Sequence, residues 1–196
     1  MTGVRFEVET LIPTIHGELR VRGYTSVDAG VEHLALIAGP LGPTPTVRVH
    51  SECLTGEALG SLKCECGPQL DSALRTIARD GGVVIYLRGH EGRGIGLVNK
   101  LRAYRLQQGG LDTVDANTAL GLPVDARDYA DATAILDELG LKSIRLLTNN
   151  PDKVAQLMAQ GIDVAECIPL VISAGEASDA YLATKRDRLG HLIPAG

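Results

Sequence analysis

Residues 83–97, VVIYLRGHEGRGIGL, open the alternation on which the fold class rests. VVIYL is a short apolar run with the length and composition of a buried strand. Gly89, Gly92, Gly94 and Gly96 fill the loop behind it, and Leu97, Leu101 and Tyr104 then recur at helical spacing. Upstream, Leu70, Ala73, Leu74, Ile77 and Ala78 mark a helix that the DGG at 80–82 stops. Downstream, Tyr129, Ala132, Ile135, Leu136 and Leu139 mark another, ended by Gly140, and SIRLLT at 143–148 reads as a buried strand. Asn150 caps a further helix, with Pro151 at its first position and Gly161 past its end. IDVAECIPLVI at 162–172 is expected to be a last strand and SDAYLATKRDRLGH at 178–191 a last helix. DTVDANTALGLPVDARDY, 112–129, reads as irregular with a break at Pro123. Strands alternating with helices predict an α/β fold with a largely parallel sheet and flanking helices.

Ahead of residue 70 the period is two. Val4, Phe6 and Val8 alternate with Arg5, Glu7 and Glu9, as in a half-buried strand. Leu19 and Val21 alternate with Arg20 and Arg22, and HLALIAG from His33 reads as a third strand. These strands predict an N-terminal antiparallel portion, closed by the turn-rich GPLGPTPT at 39–46. TVRVHSE follows, with Val47 and Val49 on one face and Arg48, His50 and Glu52 on the other. Such a polar face is ordinarily solvated. The cysteine directly after it favours the wall of a site.

The 196 residues are expected to form a single domain over 1–196 with a real core. With one Phe and no Trp, that core must be built from Leu, Val, Ile and Ala. The net charge of −5 argues against a broad nucleic-acid-binding surface but leaves room for a local basic cluster. The chain has no apolar run of membrane-spanning length, and MTGVRFEVET lacks an apolar leader core. A cytoplasmic setting is expected, which keeps thiols reduced.

Three of the four cysteines lie in RVHSECLTGEALGSLKCECGPQ, residues 48–69. Cys64 and Cys66 are one residue apart, with Cys53 upstream across a glycine-bearing loop. Their sulfurs can converge on one ion. Three ligands without a fourth suit a catalytic zinc, which keeps a position open. The plain alternatives are three free thiols, or a structural zinc completed by a distant histidine. The spacing is not that of a zinc finger or ribbon. Cys167, among apolar neighbours, is expected to be a small buried hydrophobe.

Other candidates are weaker by themselves. The glycine loop at 89–96 could cradle phosphate with backbone N–H groups, and Arg93 adds a bidentate donor, although the pattern is neither a P-loop nor a full dinucleotide fingerprint. Lys153 falls in the first turn of a helix, where the dipole disfavours a cation; a solvated surface lysine is the plain reading. Asp125 reads as a cap for a helix beginning near Ala126, with Arg127 an exposed partner for an acid. Tyr104 reads as core.

RVHSECLTG, KCECGPQL, RGHEGRGIGL, DTVDAN, LPVDARDY and LLTNNPDKV, in this order, closely resemble GTP cyclohydrolase II from about Val4 to His191. The resemblance implies one zinc per chain on Cys53, Cys64 and Cys66, and Mg²⁺ on the GTP triphosphate. It assigns the substrate to Arg48, Val49, His50, Ser51, Glu52, Gln69, Glu91, Gly92, Arg93, Thr113, Thr148 and Lys153. It makes Arg127 a nucleophile toward the α-phosphorus, Asp125 its proton acceptor, and Tyr104 an aid to ring opening. GTP would lose pyrophosphate, zinc-activated water would attack C8, and formate would leave. The expected product is 2,5-diamino-6-ribosylamino-4(3H)-pyrimidinone 5′-phosphate, the first intermediate of riboflavin synthesis. A homodimer is implied, with no nucleic-acid or membrane partner. Three thiolates leave zinc net negative and less able to acidify water than histidine-rich zinc, so His50, Glu52 or Tyr104 is expected to assist proton transfer.

Rival readings remain. A purine deaminase would carry H-x-E with P-C-x-x-C, and this sequence has no P-C-x-x-C to complete the pair. A non-catalytic, zinc-stabilised nucleotide-binding module would need a fourth ligand. Some members of the resembled family stop at the formamidopyrimidine; the retained Tyr104 argues against that here. Many carry a dihydroxybutanone phosphate synthase domain upstream, for which this length is too short.

Overall fold

The computed structural model describes residues 3–170 and 172. Seven strands form one mixed sheet in the order β1-β2-β3-β5-β4-β6-β7. β1 (Val4–Thr14), β2 (Gly17–Ser26) and β3 (Glu32–Ala38) pair antiparallel, and β3 meets β5 (Gly82–Leu87) antiparallel. β5, β4 (Thr46–Ser51), β6 (Ser143–Leu147) and β7 (Asp163–Ile168) run parallel. The predicted α/β class, with its parallel core and antiparallel N-terminal portion, is what the structure shows.

The alternation in β4 assigns the two faces. Val47 and Val49 join Val83, Ile85, Ile144 and Leu146 in the main core. That core is covered by α5 (Ala130–Glu138), through Ile135 and Leu136, and by α6 (Pro151–Ala159), through Leu157. On the other face Ala73 and Ile77 of α2 (Cys66–Asp80) pack against Leu19, Val21, Ala38 and Val84. Arg48 and His50 point to this second side and are buried. The polar face of β4 is therefore a wall, as the adjacent cysteine suggested.

Several expectations are corrected. β1 is not half-buried. Phe6, Val8, Leu11 and Ile12 are all exposed on this edge strand, and only Val4 packs against the main core. Alternation gives a face its polarity but not a cover. The stripe of α3 (Leu97–Gln108) is likewise not core: Leu101 is exposed and only Ala103 is buried. The segment read as irregular contains α4 (Thr113–Ala119), whose Asp112 cap accepts from the Asp115 N–H at 2.8 Å. Cys167 is exposed, because β7 is the other edge of the sheet. The helix expected at 178–191 lies outside the described residues. The Asn150 cap, Pro151 and Gly161 past the helix end stand as read, and Gly161 has a positive φ.

Gly82 enters β5 with φ of 145°, and a Cβ there would lie 2.3 Å from the Thr46 carbonyl oxygen. Neither the backbone nor the β4–β5 pairing can give way. Gly82→Ala is expected to lower stability by about 3 kcal/mol, seen as a lower urea midpoint at unchanged slope.

Candidate active site

The parallel strands β4, β5 and β6 deliver their C-terminal ends to one edge, where open α/β sheets bind ligands. A cleft of about 460 Å³ opens there. Arg48, His50, Ser51 and Glu52 line it from β4, Gly92 and Arg93 from the loop after β5, and Thr148 and Lys153 from the end of β6 and the start of α6. Cys53, Cys64, Cys66, Gln69, Tyr104, Thr113 and Arg127 complete the wall among the residues expected from sequence. Three expected residues sit differently. The Val49 side chain lies in the core, and its carbonyl accepts from Lys153 Nζ at 2.6 Å. Glu91 is buried behind Cys53 rather than lining the cleft. Asp125 stands beside Arg127, just outside the lining set.

The sulfurs of Cys53, Cys64 and Cys66 lie within 4.8 Å of one another, and among the described residues the group holds these three. Cys53 and Cys64 sulfurs are 3.6 Å apart, and all three cysteines are free. Convergence depends on glycine. A Cβ on Gly56 would come 2.7 Å from the Cys64 sulfur and 3.3 Å from that of Cys53. A Cβ on Gly67 would meet the Gly56 carbonyl oxygen at 2.5 Å. Hydrogen bonds from Cys64 and Cys66, then from Lys100, hold the Cys53 thiol far below its usual range. Sharing with Cys53 pushes Cys64 up, and sharing with both others pushes Cys66 well up. Crowding alone thus works against ionising all three sulfurs together. A divalent cation lets all three ionise, and soft thiolates suit zinc. The donor set thus fits the metal.

The phosphate candidates gather on the other wall. Arg93 has φ of 63°, a left-handed conformation uncommon outside glycine. Its carbonyl accepts from Ala126 N–H at 3.0 Å, and Gly94 sits so close to Ala126 that a Cβ would lie 3.3 Å away. This contact joins the glycine loop to the segment carrying Asp125 and Arg127. Asp125 is not a helix cap: α5 begins at Ala130, whose N–H donates to Asp128 Oδ1 at 2.6 Å. Arg127 instead grips Asp125 through Nε at 2.9 Å and Nη2 at 2.5 Å. Burial raises the Asp125 pKa, but the Arg127 hydrogen bonds and charge outweigh it and leave a net lowering. Lys153 is not a surface lysine; it is buried, with its ammonium 5.0 Å from the centre of the Tyr129 ring. Burial pulls Arg48 down to about 10, and its guanidinium donates to the Leu147 carbonyl and to Gln69, both at 2.9 Å. Cations so concentrated in one cleft of an acidic chain give it a local field suited to a polyanion.

Sequence reasoning missed part of the lining, Lys100 and His90, and part of its support, Glu57. Glu57 accepts from His50 Nε2 at 2.7 Å and from the Tyr86 hydroxyl at 2.5 Å, fixing the histidine from below. Glu57 follows Cys53 by one helical turn, a spacing that was open to inspection. Lys100 lies 3.0 Å from the Cys53 sulfur. It falls in the first turn of α3, the same oddity that singled out Lys153. His90 shares a hydrogen bond with Ser51 Oγ at 3.0 Å; it lies within RGHEGRGIGL, but no role was assigned to it.

Burial, then the charges of Arg127 and Lys153, pull His90 down to about 4. The unfolded chain takes up a proton near pH 6.5 that the folded histidine refuses, so stability is full above that value and falls as pH drops toward 4. The loss expected from His90 is about 3 kcal/mol by pH 4. Denaturation across this window should show a flatter pH slope for His90→Gln than for the wild type; equal slopes would contradict the assignment.

A family model for GTP cyclohydrolase II matches residues 5–169. Riboflavin biosynthesis protein RibBA of Mycobacterium bovis is 56% identical over 190 residues, covering 93% of this chain and 45% of that protein. The RibBA proteins of Mycolicibacterium gilvum and Mycobacterium marinum match with the same identity and coverage. The chain therefore spans about half the length of these curated relatives. A solved structure of RibBX, a two domain 3,4-dihydroxy-2-butanone 4-phosphate synthase from A. baumannii, aligns with 87% of this chain and 41% of that one at a TM-score of 0.47 and 17% identity. With the match running through every strand and every wall of the cleft, the chain belongs to the GTP cyclohydrolase II family of enzymes.

Proposed function

We propose that this chain hydrolyses GTP to 2,5-diamino-6-ribosylamino-4(3H)-pyrimidinone 5′-phosphate, formate and pyrophosphate, opening the imidazole ring at C8. That reaction is the first step of riboflavin synthesis. The observation that carries the reading is the presence, in one cleft, of a three-sulfur cluster on one wall and Arg93, Arg127 and Lys153 on the other. A purine triphosphate needs both.

Arg127 attacks the α-phosphorus. The N–P bond forms as the P–O bond to pyrophosphate breaks, and the guanidinium proton passes to Asp125. The resting ion pair keeps that proton on Arg127, since arginine is the far stronger base. A nitrogen bonded to phosphorus loses basicity, so transfer to Asp125 accompanies bond formation. Lys153 and Arg93 hold the phosphate oxygens, with Mg²⁺ proposed on the triphosphate. The covalent link holds the guanine in the cleft until water releases the 5′-phosphate. Zinc, held by Cys53, Cys64 and Cys66, supplies Lewis acidity for the addition of water at C8. Tyr104, whose ring lies 5.2 Å from Lys63 Nζ and 5.8 Å from Lys100 Nζ, presents its hydroxyl for proton transfer as the ring opens. We further propose a homodimer in the cytoplasm; among the described residues no helix is long and apolar enough to cross a membrane.

Measuring pyrophosphate and formate separately tests this division of labour. Cys66→Ser should abolish formate yet release pyrophosphate slowly. Arg127→Ala should lose both products, and Arg127→Lys should not rescue, because it lacks the planar fork. Formate at the normal rate from Arg127→Ala would contradict the scheme. A folded, GTP-binding Cys66→Ser protein that releases no pyrophosphate would require the metal at the phosphate step.

A further inference from the structure

The steps above leave the ion pair between Lys100 and Glu91 without a role. Lys100 Nζ lies 2.6 Å from Glu91 Oε1 and 3.0 Å from the Cys53 sulfur. The other oxygen, Glu91 Oε2, accepts from the backbone N–H of Leu54 at 2.7 Å, the residue directly after Cys53. One carboxylate thus holds both the peptide that carries the cysteine and the ammonium that touches its sulfur. The pair is well shielded, with Glu91 side chain 8% and Lys100 side chain 11% exposed. Gly92 permits the approach: a Cβ there would lie 3.1 Å from the Lys100 Cβ.

We propose that Lys100 is a positioning residue of the metal centre: held by Glu91, it donates a hydrogen bond to the Cys53 sulfur and offsets one of the three thiolate charges. The proposal rests on the reading that Cys53, Cys64 and Cys66 hold the metal. Zinc with three thiolates carries one net negative charge, and Glu91 adds a second in the same buried region. Lys100 brings the assembly back to one. Without it two negative charges share a site poor in water, which weakens the holo state. A hydrogen bond also draws electron density from the sulfur, so the ion beneath it stays a stronger Lewis acid. Glu91 then serves the metal through Lys100 and Leu54, consistent with its place behind the cleft wall.

The test uses Lys100→Met, which keeps the stem and removes the charge. Zinc affinity is read by competition with a chromophoric chelator, and the Co²⁺-substituted protein is read by its sulfur-to-cobalt charge-transfer band. Zinc should bind about 10–100-fold more weakly, and the band should move to longer wavelength as the sulfur becomes more electron-rich. A merely structural lysine would not move the band. If Lys100→Met fails to fold, Lys100→Gln, which removes the charge but keeps a neutral N–H donor, should shift both readings the same way by less. Wild-type zinc affinity with an unmoved band overturns the proposal, as does a change confined to the KM for GTP, which would make Lys100 a phosphate ligand. Zinc kept at full occupancy after Cys64→Ser and Cys66→Ser together removes the metal-site reading itself. Zinc lost there but held normally by Lys100→Met overturns this proposal alone.

Discussion

Three sulfur atoms within 4.8 Å of one another in a shielded corner form an arrangement that a chain does not hold without cause. As thiolates they repel, and as thiols they bring only weak hydrogen bonds. Two glycines, Gly56 and Gly67, are spent on letting the segments approach, since a Cβ at either would collide with a sulfur or with the neighbouring backbone. A cation held between the three sulfurs, as proposed above, would relieve that repulsion. The other parts of the site follow from its position at the end of β4. Glu57, one turn beyond Cys53, reaches back to His50, and α2 starts at Cys66 and brings Gln69 to Arg48.

The sheet sets the distance between the two chemistries. β4 and its neighbours β5 and β6 are parallel and end on the same edge. The sulfur cluster grows from β4, the glycine loop from β5, and Thr148 with Lys153 from β6. Helix α5 covers one face behind the Asp125–Arg127 segment, while α2 covers the other behind the cysteines. In the proposed reaction, a nucleotide laid across the strand ends would meet cations under its phosphates and the cysteine cluster under its base. The reaction proposed above needs that separation, because each wall acts on a different bond.

Much of this was legible in the sequence where local chemistry decides structure. The Asn150–Pro151 cap, the DGG stop and the apolar runs of β5 and β6 follow from short-range rules and stand in the structure. The cysteine spacing pointed to one cluster, and the ordered motifs pointed to the family. What failed depended on long-range cover. The alternation in β1 reads like that of β2, but β1 is the edge of the sheet, and Phe6, Val8 and Leu11 remain exposed. Cys167 failed for the same reason at the opposite edge. α4 was hidden because Thr113–Ala119 has too few apolar residues to show a helical period. Lys100 was missed although it shares the first-turn position that singled out Lys153, which is buried and bonds the Val49 carbonyl rather than lying solvated.

X-ray absorption at the zinc edge of the purified protein tests the central claim most directly. The account predicts one zinc per chain with three sulfur neighbours at about 2.3 Å and one oxygen or nitrogen at about 2.0 Å, the signature of an open catalytic site. Four sulfurs, or a first shell made mostly of oxygen and nitrogen, would contradict it. The first would mean a closed structural site, and the second a metal held away from Cys53, Cys64 and Cys66.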